Sequence, residues 1–219
     1  MKRFISLLLL QGAVQKPVEK WFGSKRPILS TPFFGKVMSE MRYGLLRKFL
    51  HFANNDAFDS DIDHNNKLIK IREFHDLVVN KFRSVYVPKP DISVDESLIA
   101  YKCRLSCKQY IPQKQARFGM KLFQLCASES GYIWNSLIDM GKGTVFHENY
   151  NDYGHSTKSA MTLIHELKGK GYCLSIVNSY TSPGLAELLI NNKTDTFTTK
   201  PKKFTCFINS QEKGNSKMR

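Results

Sequence analysis

The stretch Ile92-Ser93-Val94-Asp95-Glu96-Ser97-Leu98-Ile99-Ala100-Tyr101-Lys102 constrains the fold more than any other part of the chain. Ile92, Val94, Leu98 and Ala100 fall on one face, and Ser93, Asp95, Ser97 and Ile99 on the other. A period of two predicts a β-strand. An acidic pair in the middle of such a strand needs a reason. A carboxylate withdrawn from water is costly unless it is paired, hydrogen-bonded or bound to a metal. Two readings stand at this point. The pair lies at a strand end, solvated or matched by Lys102 or Arg104. Alternatively, Asp95 is a metal-binding carboxylate on the central strand of a nuclease-type sheet.

The flanks give the strand a context. Residues 1–87 read as helical. Thr31-Pro32 starts a helix that carries Phe34, Val37, Met38 and Met41, and Leu45, Leu46, Phe49 and Leu50 continue it after Gly44. A polar loop from Asn54 to Asn66 follows. Its Asp59-Ser60-Asp61-Ile62-Asp63 begins like a calcium loop, but His64 stands where that loop needs Gly and Lys70 where it needs Glu, which excludes calcium. The next helix carries Ile71, Phe74, His75, Val78, Phe82 and Val85 at helical spacing, with His75 read as a packed core histidine rather than a ligand.

From Pro88 the period is two. Strands are predicted at Lys121–Ala127 and Tyr132–Asp139, joined by the tight turn Ser128–Gly131. The basic turn Gln113–Arg117 precedes them. Gly141-Lys142-Gly143-Thr144 lacks the spacing of a phosphate-binding loop and reads as a turn. Ser156 is read as the cap of a helix with Ala160, Leu163, Ile164 and Leu167 on one face. A buried strand at Tyr172–Val177 and a helix opened by Ser182-Pro183 follow. Thr198–Arg219 is rich in Lys, Thr, Ser and Asn and reads as a basic, disordered tail, residues 199–219 in particular.

Composition limits the functional classes. The 219 residues are 42% hydrophobic and 12% aromatic, so the chain can bury a core. Its 33 Lys and Arg against 19 Asp and Glu give a net charge of +14. Such an excess points to a polyanion, nucleic acid first and a membrane surface second, with a basic protein lacking such a partner as the plain alternative. The five cysteines form no C-x-x-C pair, which argues for a reducing compartment and against a disulfide framework or zinc finger. Lys2-Arg3 before the run Phe4–Leu10 has the outline of a short signal peptide with a poor cleavage site. It reads better as a core helix that starts abruptly, as if earlier chain were missing. No stretch approaches the length of a bilayer span.

The resemblance becomes specific in separated blocks. Ser93-Val94-Asp95-Glu96-Ser97, Arg104-Leu105-Ser106 and Lys108-Gln109-Tyr110-Ile111-Pro112-Gln113-Lys114 resemble the first catalytic block of the piggyBac family of DNA transposases. Ser130-Gly131-Tyr132 resembles the block after it. Gly171-Tyr172, Asn178, Tyr180-Thr181-Ser182-Pro183, Leu185 and Ala186 resemble the second, and Leu50-His51-Phe52 with Asn55 the helical part ahead of the core. The similarity spans residues 1–198.

The resemblance implies an α/β fold: a ribonuclease-H-like core, here incomplete, over residues 88–198, behind a helical N-terminal segment of dimerisation or DNA-binding type over residues 1–87. It implies three aspartates holding two Mg²⁺ ions about 4 Å apart for DNA cutting and insertion. Asp95 matches the first, as a remnant catalytic residue and metal ligand. Val177 stands at the second position, and valine has no oxygen to offer a cation. Asn178, next to it, is neutral and would point to the other face. The third aspartate would lie beyond Arg219. Mg²⁺ is therefore implied by the family but is not expected to bind productively.

The expectation is a truncated, degenerate, inactive transposase derivative, nuclear, with duplex DNA as its partner and a homodimer allowed, and without a membrane or small-molecule substrate. Lys102, Arg104, Lys108, Lys114, Arg117 and Lys121 are the candidate phosphate contacts, with a merely solvated basic face as the alternative. A residual nuclease using Asp95, Glu96 and a further carboxylate such as Asp139 or Asp152 is the second reading. A protein-interaction domain or decayed relic is the third. A core lacking part of its cover would leave an apolar face exposed and favour self-association.

Overall fold

The structure, a computed structural model, describes residues 1–54, 68–101, 107–112, 114, 116–177, 180 and 182–198. The chain forms two compact units, Met1–Asn54 and Asn55–Arg219.

The first unit is helical. The run after Lys2-Arg3 is helix α1, Lys2–Ala13, with Phe4 and Leu7 buried. A 3₁₀ turn at Glu19–Gly23 follows, then α2, Pro32–Val37, and α3, Glu40–Lys48. Leu7, Phe22 and Phe34 form its core, and Phe4 meets Tyr43 in a tilted ring contact with centroids 5.2 Å apart. Where the spacing predicts one helix through Met41, the chain breaks at Met38. Ser39 then caps α3 by accepting the Arg42 N–H at 3.4 Å. A serine side chain that satisfies a first-turn amide favours a fresh start over continuation, whereas Gly44 is tolerated inside the helix.

The second unit is an α/β layer. Helix α4, Ile69–Val85, leads into β1, Asp91–Ala100, the predicted alternating strand. Then come β2 (Gln109–Tyr110), β3 (Phe118–Ala127), β4 (Ile133–Ile138), α5 (His155–Ile164), β5 (Cys173–Ile176), α6 (Pro183–Asn191) and β6 (Asp195–Thr198). The sheet order is β2-β3-β1-β5-β6, with β4 also on β3. β1, β3 and β4 are antiparallel neighbours, and β1, β5 and β6 are parallel. The parallel pairs need crossovers, which α5 and α6 supply.

Glycines mark two demanding positions. Gly131 closes the β3–β4 turn at φ 68°. Gly119 pairs with Ala100 where β1 and β3 come so close that a Cβ would lie 2.2 Å from the Ile99 carbonyl oxygen.

The packed face of the sheet joins Ile92 and Val94 of β1, Phe123 and Leu125 of β3, and Leu174 and Ile176 of β5 to residues of both α5 and α6 in one cluster. Both helices therefore cover the same face. A smaller cluster of Leu68, Cys107, Leu122, Ile138 and Met140 sits on part of the other.

Four expectations need amendment. Helix α4, read with the helical segment that ends at residue 87, packs along β4: Tyr132 Oη donates to the Phe82 carbonyl at 3.1 Å and Trp134 Nε1 to that of Tyr86 at 3.0 Å. Its buried residue is Val79, while Phe74 and Val85 of the predicted stripe are exposed and His75 is only half-buried. Ser156 lies inside α5, whose N-cap is Gly154. β6 adds a strand where no apolar pattern pointed to one. The calcium-like segment 59–64, Lys102, Arg104, Asn178 and the tail 199–219 lie outside the described residues.

Candidate functional site

The strand register fixes what stands beside Asp95. In the parallel β1–β5 pair, Val94 is opposite Ile176. Both are buried, 1% and 3% exposed, on the packed face. One residue further on, side chains on both strands turn to the other face. Asp95 follows Val94 and Val177 follows Ile176, just past the end of β5, and both are exposed. On the other side, Asp95 pairs with Gln124 of β3. The open face around Asp95 thus presents Ser93, Ser97, Gln124 and Ser175.

Asp95 itself is held by its own chain: its Oδ1 accepts the Glu96 N–H at 2.7 Å. It also acts at a distance. Burial pushes the Cys126 thiol pKa up, and the Asp95 charge pushes it further.

Glu96 points to the packed face, away from Asp95. It pairs with Lys121 at 2.9 Å, and Lys121 lies over the Phe123 ring at 4.7 Å. The acidic pair is therefore divided, one carboxylate to each face. The match for Glu96 comes from β3, two residues along from its cross-strand partner Phe123. Lys102 and Arg104 were the nearer candidates in sequence. Lys121, expected among the phosphate contacts, has most of its side chain covered and its charge matched by Glu96.

Asp139, the candidate extra carboxylate, is also on the packed side and buried. Its Oδ1 accepts the Gly141 N–H at 2.8 Å and the Thr144 hydroxyl at 3.0 Å, and His155 Nε2 is 3.6 Å from Oδ2. Burial alone would raise its pKa. The Gly141 amide, the Gln109 and Thr144 side chains and the His155 charge outweigh that and hold it below the ordinary value. It anchors the turn after β4, and among the described residues no second carboxylate joins it. Asp152 is exposed in a turn. Tyr180, which motif reading placed near the second block, is 1% exposed. Burial drives its pKa strongly upward and the neighbouring Glu96 adds to this, so it stays a neutral phenol.

Of the basic candidates, Lys108 lies over the Phe118 ring at 5.5 Å, Lys114 reaches the Glu96 carbonyl at 3.3 Å, and Arg117 is exposed. They fall on and around β2, next to the end of β1 that follows Asp95.

The donor set does not fit the implied pair of Mg²⁺ ions. Mg²⁺ takes near-octahedral oxygen ligands, and a two-ion site needs bridging carboxylates. Among the described residues the open face offers Asp95 alone, and no group of three or more His, Cys, Asp or Glu gathers as ligands. Among them, too, no helix is long and apolar enough to cross a membrane.

A parallel pair with its first acid on the central strand, an antiparallel hairpin beside it and helices at the crossovers define a ribonuclease-H-like core of the DDE-transposase class. The comparisons agree. A profile of the DDE transposase family described as Transposase IS4 matches residues 1–217, and the chain belongs to this family, in its piggyBac branch. It is 27% identical over 150 residues to human PiggyBac transposable element-derived protein 3, covering 68% of this chain and 24% of that protein. The human Chimeric ERCC6-PGBD3 protein matches at 27% identity over 150 residues, 68% of this chain and 14% of the relative. The chain thus spans a quarter or less of the length of these curated relatives. A piggyBac transposase solved as a synaptic complex with hairpin DNA superposes with a TM-score of 0.78 at 20% identity, over 92% of this chain and 42% of that one. At that identity the likeness shows the fold.

Proposed function

We propose that this chain is a catalytically inactive, transposase-derived protein that binds duplex DNA in the nucleus through a basic surface, with a homodimer as its assembly. One observation carries the inactivity: Val177 follows Ile176, the partner of Val94 on the neighbouring parallel strand, as Asp95 follows Val94. A lone carboxylate cannot hold two divalent ions, and metal stabilisation supplies several kcal/mol of the barrier reduction in such sites. A residual nuclease built on Asp95 with Glu96 or Asp139 draws no support, because both lie toward the packed face and are engaged there.

DNA binding rests on the net charge of +14 and on Lys108, Lys114 and Arg117 around β2, with Lys102 and Arg104 as further contributors from the sequence. Contacts of this kind meet phosphates, so binding would be steeply salt-dependent and read little sequence. Lys121 serves the fold instead.

The test has two arms. Purified chain with a transposon-end duplex and Mg²⁺ is expected to leave the DNA intact. A divalent-dependent cut that Asp95→Ala abolishes would overturn the inactivity. Filter binding of the same duplex at two salt concentrations is expected to weaken sharply at the higher one, and Lys114→Ala with Arg117→Ala to lower the log–log salt slope by about 2. Absence of salt-sensitive retention would overturn the DNA-binding half.

A further inference from the structure

The β2–β3 hairpin carries two aromatic rings that the fold leaves largely in water. Tyr110 and Phe118 are partners in the antiparallel register, so their side chains share a face. Their ring centroids are 4.7 Å apart, with the planes tilted by 36°. Tyr110 is nevertheless 56% exposed and Phe118 49%. Alternation along β3 puts Phe118 on the face of Met120, Leu122 and Gln124, the face that carries Asp95, about 20 Å along the strand from Gln124. A cross-strand aromatic pair steadies a hairpin, but that role alone does not require both rings to stand open.

The surroundings narrow the partner. Between Glu96 and Glu129 the sequence holds six Lys and Arg and no Asp or Glu. Lys108 Nζ lies 5.5 Å from the centre of the Phe118 ring. Lys114 and Arg117 are exposed in the connection from β2 to β3. Ile111 donates its N–H to the Arg117 carbonyl at 2.8 Å, and Lys114 its N–H to the Ile111 carbonyl at 3.2 Å. The ladder thus continues past the rings and keeps both cations in the hairpin that bears them. Among the described residues none of the three cations forms an ion pair. Unpaired cations around an exposed apolar pair call for a partner that is anionic and has flat apolar faces.

Nucleic acid has both, and the rings select its form. Phosphates are offered by a duplex and a single strand alike. In a duplex each base is already stacked and paired, so its face is closed to a side chain. An unpaired base has a free face, and stacking on aromatic side chains beside cations is how such bases are held.

We infer that Tyr110 and Phe118 form a stacking platform for the unpaired bases of single-stranded DNA, with Lys108, Lys114 and Arg117 on its phosphates. The inference rests on the DNA-binding reading above and adds to it a preference for unpaired strand.

Fluorescence anisotropy of the full chain with a labelled oligothymidylate, alone and annealed to oligodeoxyadenylate, tests it. The duplex is the more densely charged, so charge alone favours it, and a preference for the single strand reports the rings. At the higher of two salt concentrations, where phosphate contacts are weakened, the single strand is expected to bind about tenfold more tightly than the duplex. Tyr110→Ala is expected to lower single-strand affinity about tenfold and leave duplex affinity unchanged, and Tyr110→Phe to keep the preference. Tyr110→Leu, which retains apolar contact but has no ring, serves where the alanine variant fails to fold. Polyglutamate, an anion without bases, is expected not to displace the strand, and the matching oligouridylate to bind no more tightly than the DNA. A single strand bound no more tightly than the duplex would overturn the inference. So would equal losses for both forms in Tyr110→Ala, displacement by polyglutamate, or tighter binding of the oligouridylate. Binding of neither form would overturn the DNA-binding reading, and this inference with it.

Discussion

The two faces of the central sheet are built from the same strands and do opposite things. On the packed face Ile92, Val94, Phe123, Leu125, Leu174 and Ile176 close under α5 and α6. On the other, Ser93, Asp95, Ser97, Ser175 and Val177 are at least partly exposed. The residues alternate one by one, so the register that buries Val94 against Ile176 is the register that sets Asp95 beside Val177. Stability and site geometry are therefore coupled through backbone position but separable by side chain. A substitution on the open face can remove chemistry and leave the fold intact.

The largest test of this contrast compares Leu174→Ala with Asp95→Ala. Leu174 is fully buried, and its truncation is expected to cost about 2–5 kcal/mol in urea unfolding, with Asp95→Ala within about 0.5 kcal/mol of the parent. Comparable losses would show that the open face also holds the fold together.

A smaller effect is expected from Val177→Asp. At neutral pH the new charge opposite Asp95 should destabilise the chain by about 0.2–1 kcal/mol, as like charges do across a strand pair. Mg²⁺ or Mn²⁺ should recover that loss and raise the midpoint further, whereas the parent stays unresponsive. A variant that ignores the cations would show that the two positions do not share a ligand.

The smallest effects belong to the polar margin of the packed face and appear on acidification. Burial lowers the His165 pKa, and the charges of His147 and Lys168 lower it further. The two imidazole rings are stacked with centroids 3.6 Å apart. A depressed histidine is neutral in the fold and gains its proton on unfolding. Stability should then fall as the pH drops below the ordinary value of 6.5, and level off below the folded value. His165→Gln should flatten that part of the midpoint-against-pH curve. Asp139 acts lower. Its contribution is present above the ordinary aspartate value of 3.8 and is lost as the pH falls through its depressed folded value, so Asp139→Asn should remove only that later loss.

Local pattern made much of this fold legible. Alternation located β1, the turn at Gly131 located the β3–β4 hairpin, and Ser182-Pro183 located α6, where Ser182 accepts the Leu185 N–H at 3.2 Å. The failures share a cause. β6 is four residues beside a polar tail, and its partner β5 lies a helix away. The buried side of α4 was misread because it carries Arg72, His75 and Arg83, which line a cleft against β4. Glu96 finds Lys121 across a strand pair that no window of sequence reveals. The same holds for Asp95 and Val177: periodicity put each on a strand, and only the family resemblance put them side by side.

That adjacency has an evolutionary consequence. Every valine codon differs from a codon for aspartate or glutamate by a single base in its second position. The seat beside Asp95 is therefore one point mutation from an acid. The frame that shapes the seat depends on many residues at once, among them Val94, Ile176 and the close approach at Gly119. A gene encoding this chain can lose or regain the acid at that seat much faster than it can lose or rebuild the frame around it.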